Sequence, residues 1–316
     1  MFRTMLRTIL LTLLPFGMPL AQETYPAKTV EVLSVFGAGG GTDILARVYA
    51  AEMSKLLGQS FVVINREGAA GSIGFAVLAA AKPDGYTVSF APATPLVNSP
   101  HVIKNLSYGF DSIVPVCGVF DNVFAVVVMP SSPYKTLKDL LADAKAKPGQ
   151  LSYGNAGLGS IPHLSMAALT RAAGVSMIPI AYRGDSGVLP QVMSGTLSVG
   201  IIAVSSLLGR DVRVLAVFND HRDQAYPDAP AVTELGFPKI PPGLNGVFVP
   251  KGLPKPVFDT LERACKHVTN QPNFISAAKK LNQTVEFFSG AEYAKILKAD
   301  YDFKGQLMKD IGFGQQ

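Results

Sequence analysis

The sequence predicts an α/β protein of two domains, each built on a mostly parallel mixed sheet. Three observations carry this. β-branched apolar runs alternate with helical patterns along the chain. Two stretches, beginning near residues 29 and 151, share one plan of strand, glycine-rich loop and helix. The length of 316 residues, 48% of them apolar, is enough for about two hydrophobic cores.

Taken in order, residues 29–36 are β-branched and apolar, a strand, and Gly37-Ala38-Gly39-Gly40-Gly41-Thr42 turns the chain. Residues 43–57 form a helix, because Ile44, Leu45, Val48, Ala51 and Leu56 share one face; Thr42 is the expected N-cap and Gly58 the stop. A strand over 61–64, a helix over 74–81, a turn at Pro83-Asp84-Gly85 and a strand over 86–90 continue the rhythm. A new block begins near residue 122. It has a strand over 123–129, a helix over 137–146, and a strand over 151–153 that enters the second glycine-rich turn, Gly154-Asn155-Ala156-Gly157-Leu158-Gly159-Ser160. A helix runs from there to Ala173, with Gly174 as its stop. Strands over 177–182, 197–203 and 213–218 and a short helix over 187–194 follow. Residues 227–242 are a proline-rich connector; a strand over 247–249 and helices near 256–269 and 290–308 end the chain.

Composition excludes several classes. Only 16% of residues are charged, too few for a disordered or charged-tail protein. The formal charge is +5, yet no run of five or more Lys and Arg exists, so nucleic acid is not an expected partner. Arg3 and Arg7 followed by the apolar stretch 9–16 and Ala21 form a secretory signal pattern over 1–21. Pro19 fits the cleavage site poorly. A membrane anchor is the alternative, but the apolar run is shorter than the roughly 20 residues a spanning helix needs. Export would put Cys117 and Cys265, the only cysteines, in an oxidising space. Cys117 lies in the apolar run 114–120 and Cys265 in a helical pattern, so two separately buried thiols are expected and a disulfide is the alternative.

The two glycine loops carry the chemistry. A strand feeding a glycine-rich turn and a helix aims unpaired backbone N–H groups and the positive end of the helix dipole at one point, where anions bind. One such loop per domain would hold a small anion in a cleft at the carboxyl ends of the strands; the alternative is two tight turns and nothing more. Enzyme-like motifs are incomplete. The first loop lacks the Lys of a nucleotide-binding loop, and Ile44 breaks a dinucleotide fingerprint. Ala70-Gly71-Ser72-Ile73-Gly74 does not directly follow a strand, as a nucleophile elbow must. Gly184-Asp185-Ser186-Gly187 lacks the histidine segment of a serine protease. His101, His163, His221 and His267 are scattered, with no metal-ligand spacing; His163, beside the second loop, is a candidate polar contact.

Phe36 through Asp43, Asn65-Arg66-Glu67-Gly68-Ala69-Ala70-Gly71 with Ile73-Gly74, and Pro83-Asp84-Gly85-Tyr86-Thr87 resemble the Bug family, the receptors of tripartite tricarboxylate transporters. The likeness continues at residues 144–149, 153–160 with His163, at Tyr182-Arg183-Gly184, and at 213–217, 227–230 and 250–254, in order along nearly all of the chain after 21. The resemblance implies a Venus-flytrap periplasmic binding protein, type II-like, without enzymatic activity or cofactor. It would be monomeric and would pass a small carboxylate or amino acid to a membrane permease. A ligand-loaded partner of a membrane signalling kinase is the alternative, and an exported hydrolase a more remote one. Carried over, the ligand-side positions are Ala38, Gly39, Gly40 and Thr42 in the first loop, Thr94 and Asn98 in a second segment, Asn155, Ala156, Gly159, Ser160 and His163 in the other domain, and Arg183. The implied domains are 22–121 with 245–316, and 122–244, hinged near 122 and 245.

Four departures from the family pattern matter. Glu67 stands where Pro is usual, and Arg183 where Lys is usual. Residues 199–206 read Val-Gly-Ile-Ile-Ala-Val-Ser-Ser, where an acidic or amide residue commonly follows the strand. The segment before Arg213 is also several residues short. An expected polar ligand partner is therefore missing there, and an apolar or aromatic acid suits the pattern as well as a tricarboxylate.

Overall fold

A computed structural model of the chain describes residues 25–238, 243–310 and 312. The leader expected over 1–21 lies outside them, as do the last residues of the connector. In chain order the elements are β1 (Val30–Ser34), α1 (Gly41–Leu57), β2 (Phe61–Asn65), α2 (Ser72–Ala80), β3 (Thr87–Pro92), α3 (Thr94–Val97), α4 (Ser99–Val102), β4 (Ile113–Asn122), β5 (Phe124–Val128), α5 (Leu137–Ala146), β6 (Ser152–Asn155), α6 (Ile161–Ala173), β7 (Ile178–Ala181), α7 (Asp185–Met193), β8 (Gly200–Ala203), β9 (Arg213–Val217), β10 (Gly243–Pro250), α8 (Lys255–Thr269), α9 (Pro272–Lys280), β11 (Val285–Ser289) and α10 (Gly290–Asp310). No described helix is long and apolar enough to cross a membrane.

The strands form two sheets, ordered β11-β4-β10-β3-β1-β2 and β7-β6-β8-β5-β9. The βαβ rhythm accounts for the parallel pairs, β1 with β2 and β3, and β6 with β7 and β8. The remaining pairs are antiparallel, which makes the sheets more mixed than that rhythm suggests. The reason is topological. β4 runs out of the first sheet to Asn122 and β5 opens the second at Phe124, with only Val123 between them. β10 brings the chain back at Gly243, opposite Asn122, so it re-enters the sheet at the end where β4 left it and lies antiparallel to β4. Pro115 and Gly118 interrupt the pattern of β4, and its register with β10 shifts, so periodicity alone does not mark it as a strand.

Both faces of the first sheet are covered, as a sheet with a parallel half requires. Val30, Val32, Val88 and Phe90 face Tyr49 and Met53 of α1 and Leu261 of α8. Leu33, Val35, Ala91 and Phe248 face Phe75 of α2 and Tyr293 and Leu297 of α10. The second sheet is packed the same way, with Leu137, Leu140 and Met166 on one side and Val188, Leu189 and Val192 of α7 on the other.

Cys117 of β4 and Cys265 of α8 are joined in a disulfide, with Cα atoms 6.7 Å apart. The expectation of two separate thiols is thus overturned. Each is indeed buried in an apolar element, but α8 lies across β4, a proximity that exists only once the sheet is assembled. Replacing both cysteines by serine is expected to lower unfolding stability by about 2–5 kcal/mol, read as a lower urea midpoint with circular dichroism of the folded state unchanged.

Candidate functional site

The chain after β1 does not turn into α1 where the sequence suggests. Gly40, in extended backbone, is the N-cap, and α1 begins at Gly41. Thr42 is therefore inside the helix, not its cap. Its hydroxyl donates to Asn245 Oδ1 (3.2 Å) and accepts from Asn122 Nδ2 (3.4 Å), the side chains at the ends of the two crossing strands β10 and β4. The first intrahelical bond is Ile44 N–H to Gly40 C=O, so the N–H groups of Gly41, Thr42 and Asp43 precede any acceptor in the helix. Gly39 N–H is already used. It donates to Asp43 (3.0 Å), whose carboxylate also takes Arg47 (3.0 and 3.1 Å) and Asn65 Nδ2 (2.8 Å). Burial alone would raise the Asp43 carboxyl, but these donors outweigh it and hold the group below its ordinary value.

The second loop is built from its own polar atoms. Asn155 Oδ1 accepts Gly157 N–H (2.9 Å). Gly159 N–H donates to His163 Nδ1 (3.2 Å), and Gly159 C=O accepts Asn98 Nδ2 (2.8 Å) from the first half of the molecule. Ser160 is the N-cap of α6, its Oγ accepting His163 N–H (3.4 Å), and Pro162 has no N–H to offer. Burial pushes the His163 imidazole down to about 4. It is neutral at ordinary pH, and its acceptor Nδ1 assigns the proton to Nε2.

A third helix start joins these two. Gly184 caps α7, and Asp185 and Ser186 follow. Asp185 Oδ2 accepts Ala203 N–H (3.0 Å) and the Ser206 hydroxyl (2.9 Å). Burial raises the Asp185 carboxyl to about 6 against the pull of those two bonds. Sequence reasoning missed this residue because its motif was weighed only against a protease segment. The signal available was an acidic residue in the first turn of a helix, which ordinarily reads as a dipole partner.

All three helix starts line one cavity between the two sheets' halves. Gly40, Thr42 and Thr94 enter it from the first half, with Asn122 from the end of β4. Ala156, Ser160, Ile161, Asp185 and Ser205 enter it from the second. The other positions singled out in the sequence fall elsewhere. Ala38 and Gly39 are exposed and border an outer groove. Asn98, Asn155, Gly159 and His163 stand behind the second loop and shape it. Arg183 is exposed and forms an ion pair with Glu67 (3.3 Å) across the two halves. The two departures at positions 67 and 183 are thus partners. Among the described residues no three His, Cys, Asp or Glu side chains gather as a metal site.

The halves meet closely around the cavity. A Cβ placed on Gly41 would lie 2.5 Å from Ser205 Oγ and 2.9 Å from Ser205 Cβ. One placed on Gly157, whose φ is +119°, would lie 2.9 Å from the backbone nitrogen of Ala70. These glycines therefore do more than turn the chain: they let the two halves touch.

A family profile described as the tripartite tricarboxylate transporter family receptor matches residues 45–313. A UPF0065 protein of Bordetella bronchiseptica is 32% identical over 279 residues, covering 85% of this chain and 82% of its own. Among solved structures, a periplasmic transporter at 31% identity superposes with a TM-score of 0.85, over 90% of this chain and 97% of the other. The periplasmic binding protein BugD, at 28% identity, superposes with a TM-score of 0.87 over 92% of this chain and all of its own.

The neutral His163 has a measurable consequence. Between about pH 6.5 and 4 the unfolded chain binds a proton at this residue that the native protein does not, so its contribution to stability is full above that window and falls as pH drops through it. The imidazole C2–H resonance of His163 should not titrate above pH 5, and unfolding stability should lose less on acidification in His163→Gln than in the unsubstituted protein.

Proposed function

The chain belongs to the tripartite tricarboxylate transporter receptor family, and from that premise we propose that it is an exported solute-binding receptor. It captures a small carboxylate or amino acid in the cleft between its halves and delivers it to a tripartite tricarboxylate-type permease in the membrane. The observation that carries this reading is the convergence of three helix starts, at Gly41, Ile161 and Asp185, on one cavity walled by both halves. Each helix end contributes about 0.3–1 kcal/mol to a bound negative charge when exposed and up to ~2 when partly buried. Ions held this way need no basic side chain.

The domains proposed are 22–121 with 245–316, and 122–244. Val123 and the start of β10 are the two crossings, and small backbone changes there serve as hinges. In this reading Gly40, Thr42, Thr94, Ala156 and Ser160 touch the ligand. Asn98, Asn155, Gly159 and His163 hold the second loop in shape, and Ala38 and Gly39 sit at the rim. Arg183 and Glu67 form a latch made only in the closed form. As an exposed pair it contributes at most about 1 kcal/mol. The secretory pattern over 1–21 and the Cys117–Cys265 disulfide both agree with a periplasmic location.

Thermal-shift titration with small carboxylic acids and their uncharged amides tests the reading. A bound acid at 100 times its Kd should add about 2.7 kcal/mol of stability, and its amide much less; equal effects of acid and amide across the panel would overturn it. Gly41→Val should leave the fold intact and remove most of the ligand-induced shift, because the new side chain meets Ser205 before the cleft can close. Small-angle scattering of that variant should keep the larger radius of gyration of the open form when ligand is added.

A further inference from the structure

We propose that the ligand carries a protonated amine as well as a carboxylate, and that Asp185, with Ser205 on the adjoining turn, is the group that selects it. This rests on the receptor reading above and narrows its substrate class.

The argument is one of charge and unpaired atoms. The side chains lining the cavity include two carboxylates, Asp43 and Asp185, and no Lys, Arg or His. Asp43 is neutralised: Arg47 pairs with it in two hydrogen bonds, and Gly39 N–H and Asn65 complete its shell. Asp185 is not. Its two partners, Ala203 N–H and the Ser206 hydroxyl, are neutral donors on the same oxygen, Oδ2. No described residue bonds Oδ1. Arg210 is exposed on the outer groove that Asp185 also borders, and makes no ion pair with it. Asp185 is half-buried between the cavity and that groove, and a carboxylate partly withdrawn from water without a counter-charge is costly. An ammonium group entering the cavity would supply that charge and a donor for Oδ1.

Ser205 points the same way. It is 4% exposed, its Oγ has no hydrogen-bond partner, and it lines the cavity against Gly41. A buried hydroxyl without a partner destabilises the unliganded closed form, and a polar ligand group beside Asp185 would satisfy it. A second or third ligand carboxylate, by contrast, would face the Asp185 charge with only partial positive charges from helix ends to offset it. The geometry therefore disfavours a tricarboxylate. A ligand hydroxyl could donate to Oδ1 but would leave the charge uncompensated.

Isothermal titration of the purified protein with skeleton-matched acids decides the matter: L-alanine, lactate and propionate; L-aspartate, malate and succinate; L-glutamate, 2-hydroxyglutarate and glutarate; L-leucine, 2-hydroxy-4-methylpentanoate and 4-methylpentanoate. For whichever skeleton binds, the amino member should bind at least about tenfold more tightly than both others. Asp185→Asn, whose amide oxygen can still accept from Ala203 and Ser206, should bring the three within about twofold of one another while still binding them. Equal or tighter binding of the hydroxy or unsubstituted acid would overturn the assignment and leave the carboxylate-receptor reading standing. So would an undiminished preference in folded Asp185→Asn. Should that variant not fold, the comparison in the unsubstituted protein decides alone. Binding of no member would overturn both readings.

Discussion

The structure depends on a cavity lined by the starts of three helices. The first turns of α1, α6 and α7 reach it from opposite walls, and an α-helix cannot satisfy its own first amides. Such a cavity is stable only if something negative or polar occupies it, or if it opens to water. The glycines follow from the same constraint. At Gly41 and Gly157 the absence of a side chain lets Ser205 and Ala70 of the opposite half come within van der Waals contact.

The crossing strands tie this cavity to the rest of the fold. β4 and β10 sit side by side in the first sheet, and their ends carry Asn122 and Asn245, both bonded to the hydroxyl of Thr42. Gln283 adds a bond to Asn122 from the segment before β11. A change in the backbone at the crossings is thus felt in the first turn of α1 through two hydrogen bonds. The Cys117–Cys265 bridge fixes the other side of β4 to α8. One strand is in this way anchored to a helix on one face while its end is bonded to the first turn of α1 at the cavity.

Electrostatics separates this chain from a generic anion receptor. Asp43 and Asp185 stand at the starts of two helices that face one cavity, yet only the first has a cation beside it. The apolar β8 carries no acidic or amide residue, and an acid reaches its end from α7, bonded to Ala203 and Ser206. Residues far apart in the sequence thus meet at this wall. The same holds at the rim, where the unusual Glu67 and Arg183 answer each other.

What the sequence determined by itself was local. The βαβ rhythm around each glycine loop, the end of α1 at Gly58, the end of α6 at Gly174 and the span of α5 were legible, because hydrophobic periodicity and helix stops act over a few residues, whereas α3, α4, α9 and β11 were not read from it. The two glycine loops were legible for the same reason. What only the tertiary structure decided involved partners distant in the chain. β4 was obscured by Pro115 and Gly118 and becomes a strand through pairing with β10 and β11. Thr42 lost the cap position to Gly40 and found partners some 80 and 203 residues away. The disulfide, the pairing of Glu67 with Arg183, and the placement of Asp185 in the cavity all require two surfaces to meet. No periodicity records such meetings, because sheet order and the approach of the two halves are set by packing over the assembled chain.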